Sequence, residues 1–417
     1  MSETVNSSVR PRLNGLTAIL AATVLSGIAS YVITWLVPRS IGISDYAVFA
    51  IFWAFVYLVV GALFGIQQEI TRGTRPVVEG SPIQLNRARN FGLGAAAIVL
   101  VVVIGSAPFW VNAIFPVQGW LLVWPLAIGT ASFVLVATLC GTLYGLSQWT
   151  PLAVLMVVDS FLRLALIGTV LLFTSDLVAL AWAVVIPFPA TVLLVWPFIR
   201  GRVIGRAQLG SGYRSIAWNV ARTVVAAASN GVMVSGLPLL IGLTSPGVPD
   251  VTVGLVVLTA TLVRAPLIIV AMSLQSYLIV RFRDETAHFA RLFLTLLGVA
   301  LAGGVVLAAV GWLIGPAVFA FLFPGEPTPE GWFIALLVGS SALVAAVCIG
   351  AAAVLSRDQH VFYSLGWLAG AVVTVGALLL PIDFMARIVV ALVAGPIIAL
   401  LVLGLSMLRP AVVPRTS

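Results

Sequence analysis

The feature that most constrains this chain is a recurrence. Long, mainly apolar stretches follow one another from end to end, separated by short polar or Gly/Pro-containing breaks. A helix rises 1.5 Å per residue, so about 20 apolar residues cross a hydrocarbon layer about 30 Å thick. Backbone groups inside lipid must bond to one another, and each stretch is therefore expected to be a helix. We count twelve, at 13–37, 46–66, 90–114, 120–145, 151–173, 178–198, 216–243, 251–278, 290–315, 331–355, 361–380 and 388–408. With 61% hydrophobic and 8% charged residues, and no connection long enough for a soluble domain, the 417-residue chain reads as an all-α polytopic membrane protein. Arg10 and Arg12 precede the first stretch as they would a signal peptide, but a run of about 25 residues is too long for a signal core and reads as a span.

Charge placement orients the chain. All 21 cationic side chains are arginine: three lie inside spans, two (Arg39 and Arg387) fall on the side opposite the N-terminus, and the remaining sixteen fall on the N-terminal side. The positive-inside rule then predicts that both termini are cytoplasmic. The net charge of +8 reflects this bias towards anionic inner-leaflet lipids rather than nucleic-acid binding. The spans divide into two lobes of six, at 1–198 and 216–417, joined by a basic cytoplasmic linker at 199–215. Each half holds an even number of spans, so the lobes are expected to be parallel repeats about an axis along the membrane normal. Cys140 and Cys348 sit in separate spans and suggest no disulfide, two histidines give no metal site, and no Walker-type glycine loop or other cofactor motif is present.

Gly61 and Gly65, Gly141 and Gly145, Gly311 and Gly315, and Gly366 and Gly370 stand four apart, which serves either a dimer face or packing within one chain. Pro238, after Gly231 and Gly236, marks the seventh span as the one expected to bend.

The chemistry is expected at polar residues within the spans. Arg264 lies near the centre of the eighth, too deep to reach either interface. Thr261, Arg264, Ile268, Ala271 and Gln275 share one helical stripe, as a pathway wall would, although Pro266 also permits an arginine bound to backbone carbonyls at a kink. Arg222, with Asn219 and Asn230 on its stripe, either faces a wet cavity or snorkels to the inner interface. Arg163 stands four residues after Asp159, as a structural pair or as a gate that exchanges carboxylate for substrate. Gln67, Gln68 and Glu69 close the second span and, with Arg39 at the other end, mark cavity mouths; ordinary interfacial solvation is the alternative for Glu69. Guanidinium forks suit phosphate, so several facing one cavity would hold a phosphate or diphosphate group.

One segment carries a family resemblance. After the first span come Val37, Pro38, Arg39, Ser40, Ile41, Gly42, Ile43, Ser44, Asp45, Tyr46 and Ala47, and the second span ends in Gly65, Ile66, Gln67, Gln68, Glu69, Ile70, Thr71 and Arg72. This resembles the MOP superfamily of exporters, and within it the polysaccharide (O-antigen, Wzx-type) flippases. Their arginine, apolar residue, glycine and aromatic recur here, with Ala47 in place of a final glycine. The resemblance implies a multi-pass protein of the bacterial cytoplasmic membrane that flips a polyprenyl-diphosphate oligosaccharide outward by alternating access. It also implies a lumen lined by helices one, two, seven and eight, hence by Arg222 and Arg264, and a working link to glycosyltransferases and a polymerase. The multidrug and toxin extrusion (MATE) branch shares the fold and would carry carboxylates deep in its lobes. A membrane glycosyltransferase or ligase would need a sizeable outward loop, and the longest here, at 316–330, is short.

Overall fold

The computed structural model describes residues 10–77, 87–209, 212–245, 247–285, 288–357 and 359–407. Thirteen helices and a two-stranded ribbon are described: α1 (Arg10–Gly73), β1 (Thr74–Pro76), α2 (Arg87–Ile114), α3 (Trp120–Gly145), α4 (Trp149–Phe173), α5 (Leu177–Val185), α6 (Pro187–Val203), β2 (Ala207–Leu209), α7 (Tyr213–Val234), α8 (Leu237–Thr244), α9 (Asp250–Asp284), α10 (Phe289–Leu322), α11 (Gly331–Leu355), α12 (His360–Leu378) and α13 (Phe384–Met407).

Three of these departures from a simple row of twelve have local causes. The 64-residue α1 holds the first two predicted spans, divided at Gly42, whose φ of 81° and ψ of 161° lie outside the helical region and favour a residue without Cβ. The sixth span is broken between α5 and α6, where Pro187 and Pro189 remove two amide donors from the ladder. The seventh is α7 and α8, bent by 75° where Gly236 precedes Pro238, as the sequence predicts.

The chain forms two compact units, Met1–Ile41 with Ile51–Ala228, and Gly42–Ala50 with Ser229–Ser417. The division thus falls inside α7 rather than in the basic loop at 199–215, and the short Gly42–Ala50 segment belongs with the C-terminal unit. In the N-terminal unit that loop supplies β2, which pairs antiparallel with β1 in the register Thr74↔Leu209, Arg75↔Gln208 and Pro76↔Ala207. The loop read as a basic linker thus carries a strand of this ribbon.

Each unit is built around one helix buried along its length, α3 in the first and α11 in the second. These are the fourth spans of the two predicted sets of six, so equivalent positions do equivalent packing work. The glycine pairs serve packing within the chain. A Cβ on Gly141 would meet the Gln67 carbonyl at 2.7 Å, one on Gly315 would meet Ile334 at 2.7 Å, and one on Gly370 would meet the Met233 sulfur at 2.6 Å. Gly61 alone of the eight has open space around it.

Candidate functional site

In the N-terminal unit, Arg163 on α4 is 5% exposed and is held by a carboxylate, a backbone carbonyl and two aromatic rings. Its Nη2 lies 2.9 Å from Asp159 Oδ2 and donates to Oδ1 at 3.0 Å. Its Nε donates to the Val184 carbonyl at 3.0 Å. That carbonyl sits next to the α5/α6 break, where the prolines interrupt the backbone ladder. The Cζ atom lies 4.9 Å from the Phe188 ring centroid and 5.8 Å from that of Tyr57. The pair on which both sequence readings rest is formed, and the arginine staples α4 to the broken sixth span.

Glu69, read as a mouth residue or as ordinarily solvated at the interface, has two side-chain partners. Its Oε1 accepts from Arg72 Nη1 at 2.8 Å and from Thr223 Oγ1 at 3.1 Å, tying the end of α1 to α7. The two helices approach closely enough that a Cβ on Gly65 would stand 2.8 Å from the Val224 amide nitrogen, which requires glycine there. Gln67 is half-buried and Gln68 exposed, while Arg39 is exposed with its guanidinium 5.3 Å from the Trp35 ring. On α7, Asn219 and Arg222 are exposed, and Arg222 has no ion pair among the described residues. Asn230 is half-buried and belongs to the C-terminal unit.

Arg264 on α9 is the opposite of Arg163. It is 6% exposed, its Nε is fully buried without a hydrogen-bond partner, and no carboxylate forms an ion pair with it among the described residues. Among the described residues no backbone carbonyl accepts from its Nε. Fourteen residues separate it from Asp250 at the start of the helix, so it lies about 21 Å along α9. One turn earlier, Thr261 donates to the Val257 carbonyl at 2.8 Å and meets the Tyr46 hydroxyl, which fixes the segment after Gly42 against α9. At the same end the backbone of Ile43 abuts Gly254 so tightly that no Cβ fits there.

The rest of the stripe does not form an open wall. Ile268 is 2% exposed, and Ala271 packs in a cluster with Met233, Val347, Cys348 and Trp367. Gln275 is half-buried rather than standing at a mouth. The stripe therefore places one charged group in a shielded position, with apolar packing between it and Gln275. A residue that spacing did not single out is Arg387 in the first turn of α13. Its Nη1 donates to the Thr244 carbonyl at 2.6 Å and the Leu378 carbonyl at 3.4 Å, and so caps the C-terminal ends of α8 and α12. Its isolation among the outward arginines was the available signal.

No protein-family model matches the chain. It is 32% identical over 390 residues to the uncharacterized protein Rv3630 of Mycobacterium tuberculosis, covering 91% of this chain and 88% of that protein. It is 30% identical over 383 residues, with the same coverage, to the uncharacterized protein Rv1510 of the same species. Among solved structures it is similar to the lipid II flippase MurJ in an inward closed conformation, with a TM-score of 0.66 at 11% identity over 95% of this chain and 88% of that one. It is likewise similar to an inward-facing MATE-family multidrug resistance transporter of the MOP superfamily, with a TM-score of 0.65 at 17% identity over 91% and 93%. The MATE multidrug transporter DinF-BH, solved as a complex with a small molecule, gives 0.64 at 17% identity over 98% and 96%. At such identities the likeness is one of fold, the fold that MurJ and the MATE transporters share.

Proposed function

The chain belongs to the family of the mycobacterial proteins Rv3630 and Rv1510 and folds like MOP-superfamily transporters, and from that premise we propose that it is a flippase for a polyprenyl-diphosphate-linked oligosaccharide. In this reading it lies in a bacterial cytoplasmic membrane with both termini inside and passes the lipid from the inner to the outer leaflet by alternating access. Glycosyltransferases supply the glycan and a polymerase consumes it.

The observation that carries the reading is the buried Arg264, whose Nε has no hydrogen-bond partner and which has no ion pair among the described residues. A charge buried without a counter-charge is strongly unfavourable, and a chain keeps one where a ligand completes it. A guanidinium fork is matched by phosphate oxygens, which it holds with two parallel hydrogen bonds at any physiological pH. The exposed Arg222 and Asn219 are assigned to first contact with the same head group, and Arg264 to its passage. A negative-inside potential drives an anion outward by about 2.3 kcal/mol per charge per 100 mV, so the exported charge itself supplies work.

Reconstitution in liposomes with a fluorescent polyprenyl-diphosphate oligosaccharide tests the reading. Outward movement faster than in protein-free liposomes, accelerated by an imposed potential and lost in Arg264→Ala with insertion intact, is the expected result. Unchanged movement in Arg264→Ala would remove it.

The likeness to MATE transporters, one of them solved as a complex with a small molecule, favours a second reading as a small-molecule exporter. Against it, Asp159, the one acid deep within a span, is already held by Arg163 and is not free to take a cationic drug. Export of a cationic fluorescent dye by the same liposomes, in the absence of lipid flipping, would establish the second reading over the first.

A further inference from the structure

In the N-terminal unit, residues 22–35 of α1 present three faces of different chemistry. Ala22, Ala29 and Ile33 are buried against protein. Val24, Leu25, Ile28, Val32 and Trp35 are exposed and apolar, as a face in contact with lipid is expected to be. At 3.6 residues per turn, Thr23, Ser26, Gly27, Ser30, Tyr31 and Thr34 gather within roughly 140° of the remaining circumference. Thr23 and Ser30 are exposed, and Ser26, Tyr31 and Thr34 are half-buried. Two accessible faces of one helix therefore differ: one carries large hydrocarbon side chains, the other carries hydroxyls and no aliphatic side chain.

The hydroxyl face continues onto α4. Ser26 Oγ donates to the Met156 carbonyl at 3.3 Å, and Ser160 Oγ donates to the same carbonyl at 2.9 Å. Next to Ser160 stands Asp159, ten residues and about 15 Å from the start of the 25-residue α4. Although paired with Arg163, its side chain keeps 19% of its surface accessible. A carboxylate at that depth in a span faces protein or water, because exposure to hydrocarbon costs too much. The accessibility of Asp159 is thus a second and independent sign that this side of α1 and α4 borders a water-containing space.

The chemistry of the face selects its ligand. Thr23, Ser30 and Thr34 donate their protons to the carbonyls of Ile19, Ser26 and Ser30, at 2.9, 3.0 and 3.0 Å. Their oxygens are left as acceptors, so a ligand for this face must bring donors. An anion brings acceptors only. A cation would bring its charge towards a guanidinium, with the neighbouring carboxylate already held by that group. A neutral chain of hydroxyl groups, each able to donate, fits.

We propose that the hydroxyl wall formed by α1 and α4 is the contact surface for the glycan of the lipid-linked cargo, with Thr23, Ser30 and Thr34 accepting hydrogen bonds from sugar hydroxyls. The inference rests on the flippase reading and divides the recognition. A guanidinium in the C-terminal unit meets the diphosphate, and neutral hydroxyls in the N-terminal unit meet the sugars.

Single cysteines in the full chain, reconstituted in liposomes and treated with a water-soluble methanethiosulfonate, test the wall without requiring transport. Ser30→Cys and Thr34→Cys are expected to react, whereas Val24→Cys and Ile28→Cys stay at the background set by the buried Cys140 and Cys348. A fluorescent polyprenyl-diphosphate oligosaccharide is expected to slow the reaction of Ser30→Cys, and glycan-free polyprenyl diphosphate is not. Equal reaction at all four positions, or no protection by the oligosaccharide-bearing lipid, would overturn the proposal. In a transport assay, Thr23→Val with Thr34→Val keeps side-chain shape and removes two acceptors. The rate for the oligosaccharide-bearing lipid relative to the glycan-free one is expected to fall about tenfold. An unchanged ratio would also overturn it. Movement of the lipid-linked oligosaccharide by the unaltered protein, with Ser30→Cys unprotected, sinks this inference alone; absence of all lipid movement sinks the proposed function, whatever the cysteines show.

Discussion

Arg163 and Arg264 are equally buried, at 5% and 6% exposure, and lie within apolar helices of opposite halves of the chain. One has a carboxylate, a carbonyl and two aromatic faces around it, and the other has none of these among the described residues. Burial and charge are therefore poor guides to function in a membrane protein, whereas the state of the partners discriminates. A satisfied arginine holds helices together, and its value lies in the fold. An unsatisfied one weakens the fold, and under the proposed function its value lies in what it binds.

The largest expected effect comes from breaking the satisfied member. Arg163→Met leaves Asp159 without its cation and the Val184 carbonyl without its donor. Removal of one partner from a buried pair costs about 3–5 kcal/mol, and the 19% exposure of the Asp159 side chain points to about 3. Thermal unfolding in detergent should show a large loss, and Arg163→Met with Asp159→Leu should recover much of it. Equal losses in the single and double variants would mean that the pair contributes nothing and that the contrast with Arg264 fails.

Arg264→Met should move stability the other way. It replaces an uncompensated buried cation with an apolar chain of similar length, so unfolding should be unchanged or shifted up by about 1–3 kcal/mol while lipid movement is lost. A marked loss of stability in this variant would show that Arg264 has structural partners after all. Gain in one property with loss in the other is the signature expected of a ligand site.

Much of this contrast was legible in sequence. Asp159 four residues before Arg163 announces a pair on one helix face, and no acid stands at that spacing from Arg264. The bounds predicted for α3 and α11 coincide with the structure, because Gly/Pro-containing or polar breaks flank long apolar runs on both sides. The bend at Gly236 and Pro238 was readable for the same local reason. What a helix face meets was not readable. Periodicity groups Thr261, Arg264, Ile268, Ala271 and Gln275, but α11 and α12 decide that Ala271 faces protein. Nor does any local signal pair Thr74–Pro76 with Ala207–Leu209 across more than a hundred residues of intervening helix. Long-range pairings of this kind rest on tertiary placement, as does the Arg387 clasp on Thr244.

The smallest effect expected concerns Glu69, which stands between the two arginines in character. It is charged and mostly covered, but it has one neutral partner and one exposed cation whose side chain is 72% accessible. Thr223→Val removes the neutral partner and keeps the shape of the side chain. The loss should be about 1 kcal/mol, because Arg72 and solvent still meet the carboxylate. Glu69→Gln should cost no more than that, since the amide oxygen can still accept from Thr223 and an exposed ion pair contributes about 0–1 kcal/mol. A destabilisation by Thr223→Val as large as that of Arg163→Met would place Glu69 with the satisfied, fold-holding charges. A neutral effect on folding with an altered rate of lipid movement would place it with Arg264, as a contact between α1 and α7 that opens and closes as the lipid moves.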